Sequence, residues 1–361
     1  MSTAFQITPS NEILPAPDRE KALENPGFGR YFTDHMVTAE WTEGTGWHSA
    51  QLRGLAPLQM HPATAVFHYA QEIFEGLKAY RHSDGSVWLF RPEANAARFA
   101  RSAKRLALPV LDEKLFLAGV EELVRADKDW VPAHGGEGSL YIRPFMFASE
   151  AFLGVRAAAQ ATFCIIASPA GAYFPDGPTG ISLWVSRSLS RAAEGGTGAA
   201  KCGGNYATGL AAQEEARANG CEQVLYLDAA EHEWIEESGT MNICLVTSDG
   251  ELLTPGLGTI LEGVTRDSIL ALAAEHGLRP VERRIGLSEV QQRCEDGTIT
   301  EIFATGTAAV ITPIISIKSA GTDITVGSGR PGKLALELRE HLLGIQYGTR
   351  PDSHGWMRRV A

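Results

Sequence analysis

The sequence predicts a mixed α/β protein, of α+β type, built from two domains. Three observations carry that prediction. The chain has 361 residues, enough for two domains of about 100–200 residues each. Strand-like and helix-like segments interleave without a strict βαβ alternation, which argues against a doubly wound sheet. Near the middle, Gly171-Ala-Tyr-Phe-Pro-Asp-Gly-Pro-Thr-Gly180 concentrates chain breakers. The expected division is a first domain over 1–174, a linker over 175–189 with its breakers at Pro175 to Gly180, and a second domain over 190–361.

The elements follow in order. Residues 1–26 are polar and carry Pro9, Pro15, Pro17 and Pro26, which predicts an arm over the surface. Strands are expected at 31–38 and 87–90. The stretch 93–106 is rich in Ala and Arg and lacks Gly and Pro, so it reads as a helix, as does 114–129. Apolar strands are expected at 140–147 and 161–167. Beyond the breakers come a strand at 181–187, a Gly-rich loop at 195–204, a helix at 206–219 and strands at 223–227, 233–237 and 242–246. A helix over 267–276 ends at Gly277, a C-cap signal. A strand at 298–303 leads into a small-residue turn over 304–308, and a last helix spans 334–343.

Composition bounds the function. Hydrophobic residues make up 44% and charged residues 21%, as in globular proteins. A net charge of −11 opposes nucleic-acid binding, which needs a basic face, but a few local arginines can still hold a small anion. The five cysteines, Cys164, Cys202, Cys221, Cys244 and Cys294, are odd in number, widely spaced and without CxxC, so neither a disulfide framework nor a metal site is expected. No apolar run approaches the roughly 18–20 residues of a membrane span, and the first residues lack the pattern of a signal peptide. The reading is a soluble, reduced, cytoplasmic protein.

Four features could carry chemistry. Lys201 is one of eight lysines against 24 arginines. It sits in Gly195-Gly-Thr-Gly-Ala-Ala-Lys-Cys-Gly-Gly-Asn-Tyr206, with no other charge between Glu194 and Glu214. A buried lysine loses proton affinity and becomes a nucleophile able to form a Schiff base. A surface lysine on a flexible loop fits the local pattern equally well. Glu237, in Trp234-Ile-Glu-Glu-Ser-Gly-Thr-Met-Asn242, shares a strand face with Ile235. If buried it needs a cationic partner, such as a protonated pyridine nitrogen; alone it reads as an exposed edge acid. Leu261-Glu-Gly-Val-Thr-Arg-Asp267 opens a helix with Thr265 as the expected N-cap, a place where phosphate can bind. Thr305-Gly-Thr307 can expose backbone donors in the same way. Arg143 interrupts an apolar strand and needs an anion, whereas Arg98 and its helical neighbours read as solvated charges.

Together these segments resemble the branched-chain amino-acid aminotransferases, a branch of the class IV pyridoxal-phosphate enzymes. The matching pieces include Gly27-Phe-Gly-Arg-Tyr-Phe32, Phe74-Glu-Gly-Leu-Lys-Ala-Tyr80, Arg98, Tyr141-Ile-Arg-Pro144, Gly171-Ala-Tyr-Phe-Pro175, Lys201-Cys-Gly-Gly-Asn-Tyr206, Glu237-Ser-Gly-Thr-Met-Asn242, Gly263-Val-Thr-Arg266, Gly306-Thr-Ala308 and Gln346-Tyr-Gly348. The resemblance implies the two-domain class IV aminotransferase fold, with the second domain as the larger, cofactor-binding one. It implies pyridoxal 5′-phosphate as cofactor, transfer of the amino group between L-leucine, L-isoleucine or L-valine and 2-oxoglutarate, and a homodimer. A D-amino-acid transaminase or an aminodeoxychorismate lyase of the same class is the nearest alternative, and a catalytically silent cofactor-binding module a more distant one.

Carried over by position, the resemblance implies that Lys201 bonds the cofactor covalently and shuttles the Cα proton. Glu237 would pair with the pyridine nitrogen and Tyr206 with the phenolic oxygen. Arg98, Val264, Thr265 and Thr307 would hold the phosphate. Phe28, Tyr141, Arg143, Tyr173, Thr240 and Ala308 would line the substrate pocket, with Arg143 receiving the glutamate carboxylate. Tyr69, Leu153 and Val155 would reach in from the other subunit. The CxxC pair that some members carry after Gly-Thr-Ala is replaced here by Ala309-Val-Ile-Thr312, and Cys202 is expected to serve as a packing residue.

Overall fold

A computed structural model describes residues 5–10, 12–174 and 177–361. The first four residues and Asn11 of the expected arm, and Pro175 and Asp176 of the expected linker, lie outside the described residues. The chain forms two compact units. One comprises Met1–Tyr173, Ala200–Gly203 and Gly344–Ala361; the other comprises Phe174–Ala199 and Gly204–Leu343. The four residues around Lys201 and the C-terminal segment therefore belong with the N-terminal part of the chain.

In chain order the elements begin with β1 (Gln6–Ile7), α1 (Ala16–Glu24), β2 (His35–Thr42), β3 (Gly46–Gly54), α2 (Ala65–Tyr69), β4 (Glu72–Phe74), β5 (Leu77–Arg81) and β6 (Val87–Phe90). Next come α3 (Pro92–Arg105), α4 (Glu113–Ala126), β7 (Ser139–Ala148), β8 (Gln160–Ala170), β9 (Ile181–Ser186), α5 (Gly203–Ala218), β10 (Gln223–Leu227), β11 (Ile235–Ser238) and β12 (Met241–Thr247). The chain continues with β13 (Glu251–Thr254), α6 (Val264–Leu272), β14 (Arg279–Glu282), α7 (Leu287–Glu295), β15 (Ile299–Gly306), β16 (Val310–Ser319), β17 (Thr322–Thr325), α8 (Lys333–Gln346) and β18 (Met357–Arg359).

The first unit is built on a sheet ordered β1-β3-β2-β8-β7-β5-β6-β18, with β4 paired to β7. Helices α3 and α4 cover it. Phe99, Phe116 and Phe163 meet there with ring centroids 5.3 to 6.1 Å apart. Asp112 caps α4 by accepting from the Lys114 N–H at 2.8 Å. The expected helix over 114–129 ends early, at Ala126, because the Asp127 carboxylate turns to the His35 backbone and ring. The expected surface arm contains α1, with a proline in its first turn, where a missing N–H costs nothing. The expected strand over 31–38 begins only at His35.

The second unit's sheet is ordered β11-β10-β9-β16-β15-β12-β13-β14, with β17 on β16. Because β11 also pairs with β12, the strands from β11 to β12 close into a circuit around Leu183, Leu225, Ile243, Leu245, Ala304 and Ile314, all buried. Strand β9, inside the span read as linker, is a central member of that circuit. Two local expectations change. Strand β15 runs through Gly306, paired with Val310, so the turn begins at Thr307. The N-cap of α6 is Gly263, and Thr265 lies buried inside the first turn. After a 3-10 turn over Ala273–His276, Gly277 ends the segment at φ +71°, as expected of a C-cap.

Candidate active site

In the first unit, the segment carrying Lys201 is stitched down by its backbone. The Lys201 N–H donates to Ser102 Oγ of α3 at 3.0 Å, and its carbonyl accepts from the Phe74 N–H of β4 at 2.9 Å. The Gly203 N–H bonds the Glu72 carboxylate. Lys201 is thus not on a loose surface loop, one of the two readings open from sequence. Its ammonium lies 4.7 Å from the Phe74 ring centroid. Burial, and next the charge of Arg98, bring the amine down to a pKa of about 8, against the opposing pull of Glu75 and Tyr141.

Arg98 is buried on α3 and held by Glu75, which is 0% exposed, so it is not the solvated helix-face charge that its neighbours suggest. Arg98 Nε donates to Glu75 Oε1 at 2.6 Å and Nη2 to Oε2 at 2.8 Å. Asn95 Nδ2 and the Gly76 N–H add bonds to Oε2 at 2.7 and 3.1 Å. Burial pushes the Glu75 carboxyl up, but Arg98, Lys201 and Asn95 outweigh it and hold it below the usual carboxylate range. Glu75 lies in the Phe74-Glu-Gly motif, yet its sequence surroundings carry no sign of this role. Its partner is 23 residues away.

Arg143 on β7 donates from Nη2 to the Tyr141 hydroxyl at 3.0 Å and stacks 4.7 Å from the Phe74 ring centroid. Phe28 meets Tyr141 edge-on at 4.9 Å. A Cβ on Gly76 would come within 2.1 Å of the Tyr141 hydroxyl, so this glycine makes room for that side chain. Tyr173 stands exposed. Tyr69, Leu153 and Val155 also belong to this unit. The Tyr69 hydroxyl donates to the Leu153 carbonyl, and Val155 is 87% exposed.

In the second unit, Glu237 is 3% exposed on β11, which removes the edge-acid reading. Both its oxygens are held. Oε1 accepts from the Leu261 N–H at 2.9 Å and from Asn242 Nδ2 at 3.2 Å. Oε2 faces Arg191 Nε at 3.0 Å. The β11–β12 register, Glu237 opposite Asn242, brings the amide to the acid. Arg191, which the sequence does not single out, therefore supplies the cation a buried carboxylate needs. Tyr206 lies in the first turn of α5, Val264 and Thr265 in the first turn of α6, Thr240, itself exposed, in the β11–β12 turn, and Thr307 and Ala308 in the turn after β15. The N-cap of α6 is Gly263, which has no side chain to cap with.

Comparison with known proteins agrees with this chemistry. The model of the amino-transferase class IV family matches residues 72–317. A probable branched-chain-amino-acid aminotransferase of Streptomyces coelicolor is 54% identical, covering 99% of each chain. The branched-chain-amino-acid aminotransferase of Mycobacterium tuberculosis is 51% identical, again over 99% of each. Among solved structures, the branched-chain amino acid aminotransferase of Escherichia coli superposes with a TM-score of 0.74 at 30% identity, covering 90% of this chain and 100% of that one. A branched-chain amino acid aminotransferase from T.th., complexed with N-(5′-phosphopyridoxyl)-L-glutamate, gives 0.73 at 28%, over 90% and 99%. With a buried carboxylate and a lysine of lowered proton affinity in its two units, this chain belongs to the class IV aminotransferases and, within them, to the branched-chain-amino-acid aminotransferase family.

Proposed function

We propose that this chain transfers the amino group between L-leucine, L-isoleucine or L-valine and 2-oxoglutarate, using pyridoxal 5′-phosphate. The observation that carries the reading is the Lys201 amine, brought to a pKa of about 8 by its packed surroundings. The donor set fits that cofactor. A lysine of lowered proton affinity can bond an aldehyde. A carboxylate with both oxygens fixed, Glu237, suits a protonated ring nitrogen. A helix start without a capping side chain, at Gly263, suits a phosphate.

Pyridoxal 5′-phosphate, when bound, supplies an aldehyde that captures amines and a ring that draws off the electron pair left at Cα. Lys201 would hold the aldehyde carbon and, as a neutral amine, would take and return the proton at the substrate Cα. Glu237 orients the ring and keeps a proton on its nitrogen. Tyr206 holds the phenolic oxygen. Arg98, the Val264 N–H, Thr265 and Thr307 hold the phosphate. Phe28, Tyr141, Tyr173, Thr240 and Ala308 enclose the substrate side chain, with roughly 0.8 kcal/mol gained per buried methylene. Arg143, oriented by Tyr141, receives the side-chain carboxylate of glutamate through charge-assisted bonds.

Tyr69, Leu153 and Val155 complete the pocket of a second copy in a homodimer, a reading supported by their exposure. A cytoplasmic setting belongs to the same reading. All five cysteines are free, and among the described residues no helix is long and apolar enough to cross a membrane.

The test is a turnover assay of the purified protein with pyridoxal 5′-phosphate. L-leucine with 2-oxoglutarate should yield glutamate, D-alanine should not, and Lys201→Ala should lose steady turnover. Turnover of D-alanine in place of L-leucine, or a fully active Lys201→Ala, overturns the proposal.

A further inference from the structure

Glu237 is held by more than the strand that carries it. Arg191 lies in the segment between β9 and α5 and is 8% exposed, an unusual burial for a guanidinium. Its Nε faces Glu237 Oε2 at 3.0 Å, while its Nη2 donates to the Thr259 carbonyl at 2.6 Å. Thr259 lies two residues before Leu261, whose N–H holds the other carboxylate oxygen at 2.9 Å. One guanidinium thus joins the carboxylate to the segment that runs on into α6. The space around this segment is tight: a Cβ on Gly198 would come within 1.8 Å of the same Thr259 carbonyl.

The physical consequence concerns orientation. A glutamate side chain has three rotatable torsions, and a buried carboxylate without a partner cation gives up its charge or its position. With Arg191 on Oε2, and Leu261 and Asn242 on Oε1, the carboxylate plane is fixed before any ligand arrives. A second charge in this neighbourhood, the adjacent Glu236, is buried and bonded by the Thr259 hydroxyl, so it does not compete for the guanidinium at hydrogen-bond distance.

We propose that Arg191 is a positioning residue of the reaction, acting through Glu237 to preorganise the carboxylate that meets the cofactor's ring nitrogen. The inference rests on the proposed role of Glu237. It makes a claim of its own: the benefit of Arg191 is specific to that nitrogen and disappears when Glu237 is gone. A residue that merely supports the fold would affect every ligand alike.

Cofactor affinity reads this without turnover. Apoenzyme is titrated with pyridoxal 5′-phosphate and with its 1-deaza analogue, in which carbon replaces the ring nitrogen. The wild type should prefer the natural cofactor. Arg191→Gln should shrink that preference by about tenfold, the scale of losing an opposite charge beside a carboxylate. Arg191→Lys should lose less, since it keeps a cation near Oε2. In a Glu237→Gln background, Arg191→Gln should change the preference no further, the signature of two residues acting as one unit. Equal weakening toward both cofactors by Arg191→Gln and by Arg191→Lys overturns the inference, as does an undiminished effect in the Glu237→Gln background. If Arg191→Gln does not fold, the same comparison made with Arg191→Lys decides. A wild-type preference that Glu237→Gln leaves unchanged would instead overturn the proposed role of Glu237 itself.

Discussion

Burial, and after it charges that arrive from other elements, lower the proton affinity of Lys201. Arg98 lowers its proton affinity from α3, Arg143 from β7, and Glu75 and Tyr141 pull the other way. The apoenzyme should therefore combine with pyridoxal 5′-phosphate faster as pH rises through about 8, where the amine becomes neutral, and level off above it. Glu75→Gln removes the negative charge that favours the ammonium form, so the midpoint should move to lower pH. Stopped-flow absorbance across a pH series checks both; a midpoint that stays put or rises in Glu75→Gln would contradict the assignment. Lys201 stands out in sequence as a single charge among glycines, but the local pattern leaves a buried amine and a surface lysine equally open, and only its packing separates them. Glu75 does not stand out, because its role depends on a partner from another element.

Among the elements, the connection between β10 and β11 shows how local bonds set the start of the strand that carries Glu237. The Asp228 carboxylate accepts four backbone N–H groups, those of Ala230, Glu231, Glu233 and Trp234, at 2.7 to 3.1 Å. Burial pushes its carboxyl up, but these four bonds win and bring it to about 2. The sign follows: the ionised form stabilises the fold above the ordinary carboxylate pKa, and that contribution fades as pH falls toward about 2. Asp228→Asn leaves one oxygen to do the work of two and should cost about 1–3 kcal/mol. Urea denaturation at pH 7 measures it, and the difference between variant and wild type should shrink in acid. No change at pH 7 would show that the turn holds without the charge. Glu237 lies two residues into the strand that this turn launches, so the variant should also weaken cofactor binding.

For the whole molecule, the proposed homodimer is testable through the exposed apolar side chains of the first unit. Phe67, Leu153 and Val155 are each well over half exposed, and Tyr69 joins them through its bond to Leu153. Burying such exposed apolar side chains against a second copy is what the proposed homodimer requires. Sedimentation should find two copies of the 38.8 kDa chain. Leu153→Asp combined with Val155→Asp should shift it toward the monomer and lower activity together. A wild-type monomer with full activity would remove any need for the second subunit. The net charge of −11 is compatible with a small anionic substrate only because cations are placed locally, as Arg98 and Arg143 are.

Sequence alone determined the mixed fold class, located part of the elements and marked Lys201 and Glu237 as the candidate reactive side chains. These rest on local signals: periodicity, glycine and proline punctuation, and a charge standing where apolar or small residues surround it. Helix α3, strand β6 and strand β10 fall within one residue of their expected bounds for that reason. Tertiary structure decided which charges neutralise which. Nothing local pairs Glu75 with Arg98, or Arg191 with Glu237, because burial of an ion selects a partner by distance in space and not along the chain. The same holds for the four residues around Lys201. Their backbone bonds to α3 and β4 join them to the first unit, although the flanking sequence belongs to the second.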